Sequence, residues 1–122
     1  MAIRIMIVDD AALTRTILKD IFKPPEFEIV GEAKSGKEAV ELYPKLKPDV
    51  ITMDITMREM SGLDALKEIK SADPSAKIVM VSALGDEEFV KKAIEYGADD
   101  FVVKPFSKEK LIETVKKVVS SK

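Results

Sequence analysis

The sequence contains no cysteine, no histidine and no tryptophan. The lack of cysteine excludes disulfide bonds and thiolate metal sites. The lack of histidine excludes imidazole bases, Ser-His catalytic triads and most kinds of zinc site. Any acid–base or metal chemistry must therefore use Asp, Glu, Lys, Ser, Thr or Tyr.

Long apolar runs and an excess of charge of one sign are also missing. No apolar segment approaches the length of a membrane span, and the short run near the N-terminus is closed by acids, unlike a signal peptide. Lys and Arg number 20 against 22 Asp and Glu, a net charge of -2, whereas nucleic-acid-binding domains are usually basic. We expect a cytoplasmic protein that neither inserts into a membrane nor binds nucleic acid.

The chain does contain a regular alternation of short apolar runs and longer segments with helical periodicity. Its 122 residues suit one domain, residues 1–122. The predicted strands are Ile3–Val8, Phe27–Ala33, Val50–Met53, Ile78–Ser82 and Phe101–Val103. Strict alternation with short connections implies a parallel sheet covered by helices on both faces. Two strand orders are common in such open sheets, and five units favour the flavodoxin-like one, so we predict an α/β, flavodoxin-like (βα)5 fold with strand order 2-1-3-4-5.

The helical segments carry recognisable start signals. Ser35 followed by Glu38 matches a capping box, and Ser61 and Ser107 precede two other helical segments. Apolar spacing marks the side of each helix that should face the sheet. For the first and fourth helices, the residues predicted to face inward are Leu13, Ile17, Leu18, Ile21, Phe22, Phe89, Val90, Ala93 and Ile94.

Four of the five predicted strands end in an acid, a hydroxyl or a lysine. Asp9 and Asp10 follow the first strand and Asp54 follows the third. Ser82 ends the fourth strand and Lys104 follows the fifth. In an open parallel sheet, ligands bind beyond the carboxyl ends of the strands, beside the first strand. We therefore expect three carboxylates, one hydroxyl and one ammonium group to meet at this edge.

Three neighbouring carboxylates disfavour each other's charge unless a cation holds them. Oxygen ligands without His or Cys select a hard cation, and Mg²⁺ bound by few protein ligands usually serves a phosphoryl group. Asp54 stands alone on the central strand and is the candidate nucleophile for an aspartyl-phosphate. Lys104 and Ser82 are candidates to bind the phosphoryl oxygens.

Four short motifs, in this order along the chain, carry a family resemblance. They are "VDD" at Val8–Asp10, "MDITM" at Met53–Met57 followed by Gly62, "VSA" at Val81–Ala83, and "DDFVVKPF" at Asp99–Phe106. The whole chain resembles a response-regulator receiver domain, and within that family it is most similar to stand-alone chemotaxis regulators.

The resemblance implies a role for each residue of the predicted site. Asp54 is then the phosphorylated aspartate, Asp10 a direct Mg²⁺ ligand, and Asp9 a ligand that acts largely through water. The backbone carbonyl of Thr56 completes the metal site. Lys104 pairs with the phosphoryl group, and its bond to the next proline is usually cis in the family. Ser82 and Phe101 match the hydroxyl and aromatic switch positions.

The resemblance also implies partners. A histidine kinase would donate the phosphoryl group, and the face made by helix four, strand five and helix five would bind a downstream protein, in chemotaxis or at a flagellar motor. Such a protein is a monomeric phosphoacceptor without an output domain, and not an enzyme in the usual sense. One departure is Arg58, which stands where family members generally have proline. This substitution leaves the chemistry intact but brings the rigidity of the loop into question.

Alternative functions have specific sequence requirements. A magnesium-dependent phosphatase with an Asp nucleophile would need a second acid where Thr56 stands. A flavin-binding electron carrier of the same fold would not place Asp9 and Asp10 where a phosphate must bind. A phosphate-independent scaffold would not need the acids, whereas a phosphorelay intermediate would use the same ones.

Overall fold

A computed structural model describes residues 2–121, in which five strands and five helices alternate strictly. The strands are β1 Ile3–Val8, β2 Phe27–Ala33, β3 Val50–Met53, β4 Ile78–Ser82 and β5 Asp100–Val103. The helices are α1 Ala12–Ile21, α2 Gly36–Leu46, α3 Gly62–Ala72, α4 Glu87–Glu95 and α5 Lys108–Ser120. All five predicted strands are confirmed, and β5 begins one residue earlier than predicted.

The strands form one parallel sheet in the order β2-β1-β3-β4-β5, as predicted. The order changes direction beside β1, so the carboxyl ends of β1 and β3 lie next to each other. This arrangement brings the segments that follow these two strands together at one edge. Within residues 2–121, no helix has the length and apolar character needed to cross a membrane.

Successive residues of each strand face opposite sides of the sheet, and they pack into two separate hydrophobic cores. Met6, Ile51 and Met80 pack on the side of α2, α3 and α4. Ile7 and Val79 pack on the side of α1 and α5. Because both faces of the central strands are buried, these strands are apolar along most of their length, which is why they were recognisable in the sequence.

The prediction of inward-facing residues for the first and fourth helices is wrong at three positions. Leu13 is 73% exposed, Ile17 47% and Ile94 64%, whereas Leu18 and Ala93 are buried. A helix turns by about 100° per residue. Ile17 and Ile94 are therefore rotated by that angle from their buried neighbours, Leu18 and Ala93, and lie at the side of the helix. The rest of the protein therefore covers only a narrow side of α1 and of α4.

Serine side chains begin three of the helices, as predicted. Each hydroxyl accepts a hydrogen bond from the backbone N–H three residues later, at 3.1 Å for Ser35, 3.2 Å for Ser61 and 3.0 Å for Ser107. The Glu38 carboxylate reaches back to the N–H of Lys34, at 3.2 Å. These bonds satisfy amides that have no partner within a helix, so they determine where α2, α3 and α5 start.

Candidate functional site

Three acids converge at the carboxyl edge of the sheet. Asp9, Asp10 and Asp54 each offer a carboxylate oxygen, and these oxygens lie within 4.8 Å of one another. The backbone N–H of Asp9 bonds to the Ala33 carbonyl, and that of Asp54 to the Val8 carbonyl, each at 3.0 Å. The strand pairing thus continues to the acids themselves and fixes their backbone positions.

Lys104 joins two of these acids from the other side of the site. Its Nζ lies 3.0 Å from Asp9 Oδ2 and 3.4 Å from Asp54 Oδ2. Its backbone N–H donates to the Ser82 carbonyl at 2.9 Å, which fixes the start of the side chain beside β4. The peptide bond between Lys104 and Pro105 is cis, as predicted.

The ionisation of Lys104 reflects two opposing effects. Partial burial disfavours the charged ammonium, but the hydrogen bond to Asp9 and the negative charges of Asp54 and Asp9 outweigh it. The net result is that the pKa of Lys104 is raised above the usual lysine value. The ammonium is therefore charged throughout the physiological pH range and partly offsets the charge of the acids.

The three carboxylates differ in how far their oxygens are already engaged. Asp9 is 2% exposed, and its second oxygen accepts from the Ala11 N–H at 2.9 Å. The second oxygen of Asp54 accepts from the Ile55 N–H at 2.7 Å. Asp10 is exposed, and its carboxylate makes no hydrogen bond or ion pair within residues 2–121. Asp10 is thus the acid whose oxygens are most available to a ligand.

The loop between β3 and α3, which follows Asp54, is held closed by a short hydrogen bond between its two ends. The N–H of Gly62 donates to the Ile55 carbonyl at 2.7 Å. A Cβ atom on Gly62 would lie 1.8 Å from the Asp54 carbonyl oxygen, so only glycine fits there. This contact explains why a glycine follows Asp54 at this spacing. Thr56, in the same loop, is exposed.

Ser82 and Phe101 lie on the adjacent strands β4 and β5. Ser82 is 1% exposed, and its Oγ accepts a hydrogen bond from the Leu84 N–H at 3.1 Å. Phe101 pairs in register with Met80 and is only partly buried, packed at the margin of the core. The hydroxyl proton of Ser82 donates no hydrogen bond within the described part of the chain, so it is free for another acceptor.

Arg15 of α1 contacts the backbone of Asp9, and this contact was not predicted. Its Nη1 donates to the backbone carbonyl of Asp9 at 2.7 Å, and its Nε pairs with Glu32 of β2 at 3.1 Å. Lys19 pairs with the other Glu32 oxygen at 3.0 Å. Glu32 is 17 residues from Arg15, and no local sequence pattern indicates a contact over that distance.

The donor set fits a hard divalent cation. Every candidate ligand atom is an oxygen, and two of the three acids are held in place by backbone N–H groups and Lys104. Such ligands suit Mg²⁺, which retains several waters and takes few protein oxygens. Asp9, Asp10 and Asp54 could therefore hold Mg²⁺ without a change in the fold.

Comparison with known proteins identifies the family. The family model for the response regulator receiver domain matches residues 5–116. The chain belongs to this family. It is 54% identical over 115 residues to the chemotaxis protein CheY of Thermotoga maritima, covering 94% of this chain and 96% of that protein.

Solved structures agree with this assignment. The response regulator domain of Thermotoga maritima CheB is 39% identical with a TM-score of 0.93, covering 100% of this chain and 99% of that one. A chain of the CheX-CheY-BeF3-Mg+2 complex from Borrelia burgdorferi is 38% identical with a TM-score of 0.92, covering 97% and 90%. The protein is therefore a CheY-like receiver domain, and the phosphatase and flavin-carrier alternatives are not supported.

Proposed function

We propose that this receiver domain takes a phosphoryl group from a histidine kinase onto Asp54, in a reaction that requires Mg²⁺. In this step an Asp54 carboxylate oxygen forms a bond to phosphorus while the bond from phosphorus to the donor nitrogen breaks. The product is an aspartyl-phosphate, and the electron pair of the broken bond leaves with the donor. The observation that carries the proposal is the cluster of three acids around Asp54, with the Lys104 ammonium 3.4 Å away.

The metal ligands in this proposal are Asp9, Asp10, Asp54 and the backbone carbonyl of Thr56. Bound Mg²⁺ supplies positive charge that stabilises the transferring phosphoryl oxygens. Asp9 is 2% exposed, and its contact with Lys104, at 3.0 Å, is shorter than that of Asp54, at 3.4 Å, which favours a water-mediated role for Asp9. The free carboxylate of Asp10 favours direct ligation.

Lys104 and Ser82 bind the phosphoryl group once it is attached. The ammonium that now contacts Asp9 and Asp54 forms a charge-assisted hydrogen bond to a phosphoryl oxygen. The free hydroxyl proton of Ser82 donates to another. Both contacts depend on the new negative charge at Asp54, so they distinguish the phosphorylated from the unphosphorylated state.

The surface of α4, β5 and α5 is the proposed output face. Ile94 and Val103 expose apolar side chains there, which a protein partner could cover. The relative from Borrelia burgdorferi was solved with a protein partner, CheX. Together with the similarity to CheY, this supports a downstream protein target in chemotaxis for the protein described here.

The metal requirement provides the test of the proposed function. Incubation with a small phosphodonor in Mg²⁺ should add one phosphoryl group per chain, measured by intact-protein mass spectrometry. With EDTA in place of Mg²⁺ the adduct should be lost, because the acids then repel the incoming phosphoryl group. Readdition of Mg²⁺ in excess should restore it. Equal labelling with and without EDTA would refute the metal-dependent reaction.

Ser82 and Phe101 are proposed to carry the signal to the output face. When Ser82 turns toward the phosphoryl group, the segment that follows β4 moves with it, and the partly buried Phe101 ring turns further inward. A phosphoryl mimic should therefore shift the NMR signals of the Phe101 ring in the wild type. The Ser82→Ala variant should show a much smaller shift. Altered α4 amides beside an unchanged Phe101 ring would show that the signal takes another route.

A further inference from the structure

The loop that connects β3 to α3 has an unusual backbone. Glu59 and Met60 have φ values of 48° and 83°, in the left-handed region that residues with a Cβ atom rarely adopt. The same loop carries Thr56, the proposed backbone ligand, and Arg58, which replaces the usual proline. Two adjacent residues keep such a conformation only where the surrounding structure holds them.

The N-terminus of α2 makes the contacts that hold this loop. The N–H of Gly36 donates to the Met60 carbonyl, and the N–H of Lys37 donates to the Glu59 carbonyl, each at 3.1 Å. The first amides of a helix have no partner within it. The two strained residues thus supply carbonyl acceptors to the amides that begin α2.

Gly36 permits this contact because it lacks a side chain. A Cβ atom there would lie 2.4 Å from the Met60 carbonyl oxygen and 2.8 Å from the Ser61 carbonyl oxygen. Both obstacles are backbone atoms, which cannot turn away as a side chain can. Any larger residue at position 36 must push the loop away from α2.

We propose that Gly36 and Lys37 are positioning residues for the metal site. They hold the loop that presents the Thr56 carbonyl, and they replace the rigidity that a proline at position 58 would supply. Mg²⁺ tolerates little departure from octahedral geometry, so a looser loop weakens its binding. This inference rests on the proposed function, in which Thr56 contributes a ligand.

The first experiment measures Mg²⁺ affinity by NMR titration of the unphosphorylated protein. Gly36→Ala should raise the Kd about 10-fold, the lower end of the effect of outer-shell changes on metal sites. Gly31→Ala is the matched control. A Cβ atom on Gly31 would also meet an obstacle at 2.4 Å, but that obstacle is the end of the flexible Leu46 side chain. The control should bind Mg²⁺ as the wild type does.

A second variant breaks the other contact, between Lys37 and Glu59. Lys37→Pro replaces the N–H that donates to Glu59 with a ring carbon, and it does so within the first turn of α2, where no hydrogen bond inside the helix is lost. Glu109→Pro places proline at the same position of α5, where the N–H makes no loop contact within residues 2–121. Lys37→Pro should raise the Kd for Mg²⁺ and accelerate amide exchange at Gly62 in the metal-free protein. Glu109→Pro should do neither.

Restoring proline at position 58 separates a positioning role from a purely structural one. The N–H of Arg58 makes no hydrogen bond in the described part of the chain, so proline removes none there. The ring restricts the loop from within. Arg58→Pro should therefore recover most of the Mg²⁺ affinity lost in Gly36→Ala, whereas a general loss of stability at α2 would not be repaired.

The outcomes distinguish this inference from the proposed function. If the wild type neither binds Mg²⁺ nor becomes phosphorylated, the proposed function is wrong. If the wild type does both, and Gly36→Ala binds Mg²⁺ equally well, the positioning role is wrong. Should Gly36→Ala fail to fold, wild-type affinity in Lys37→Pro would overturn the positioning role by itself.

Discussion

The Asp54→Asn variant is expected to accept no phosphoryl group under conditions that label every wild-type chain. The substitution retains the size and shape of the side chain but replaces the nucleophilic carboxylate with an amide. Asp9 is a poor substitute, because its side chain is only 3% exposed, against 13% for that of Asp54. Intact-protein mass spectrometry after phosphodonor treatment in Mg²⁺ measures the result.

A matched control removes an acid from elsewhere on the surface. Asp64 is an exposed residue in the first turn of α3, so Asp64→Asn should be labelled as fully as the wild type. Peptide mapping of the labelled wild type should place the group on Asp54. An adduct that survives in Asp54→Asn would assign the phosphoryl group to a different residue.

The second large effect is expected from Lys104→Ala in the absence of metal. Its ammonium contacts Asp9 and Asp54, whose side chains are only 3% and 13% exposed. Removing one partner of a buried ion pair leaves an uncompensated charge, and here it leaves two acids facing each other. The free energy of unfolding should fall by about 2 kcal/mol, less than for a fully buried pair, because the Lys104 side chain is itself 23% exposed. Mg²⁺ should then stabilise the variant more than it stabilises the wild type.

Urea unfolding with and without Mg²⁺ measures both parts of this prediction. Lys110→Ala is the control, because Lys110 is an exposed lysine of α5 whose ammonium makes no ion pair within residues 2–121. It should change stability little. Equal losses in the two variants would show that the contacts of Lys104 with the acids do not stabilise the fold.

The contribution of Lys104 should also depend on pH in a defined direction. The pKa of Lys104 is raised on folding, above the ordinary value of 10.5. A group whose pKa is higher in the folded state stabilises fully below its unfolded pKa and loses that contribution as the pH rises through its folded pKa. The stability difference between the wild type and Lys104→Ala should therefore be constant near neutral pH and shrink above about pH 10.5.

Much of this architecture could be predicted because its signals are local. Nearly continuous apolar runs such as Val50–Met53 identify strands buried on both faces. The serines before α2, α3 and α5 mark helix starts, because a capping side chain acts within three residues of itself. Once five parallel strands are recognised, their carboxyl ends must share an edge. The meeting of Asp9, Asp10 and Asp54 therefore followed from the strand positions together with the flavodoxin-like strand order, which makes the first and third strands neighbours.

The inward-facing residues of the helices were predicted less well. Apolar periodicity shows that a helix has an apolar side, but it does not show how much of that side a neighbour covers. Leu13, Ile17 and Ile94 belong to such sides and are nevertheless exposed. Coverage depends on how each helix lies against the sheet, and this is a property of the packed structure.

The amino-acid sequence by itself determined the order of strands and helices along the chain and the edge of the sheet at which the acids gather. It also determined that any metal bound there must be held by oxygen atoms, because the chain has no Cys or His. Only the tertiary structure decided which side chain contacts which acid. Lys104 contacts Asp9, which is 95 positions away in the chain. The N–H of Gly36, at the start of α2, donates to the carbonyl of Met60, which lies in the loop between β3 and α3. Such contacts leave no periodic or local signal, because they depend on how separately formed elements pack against one another.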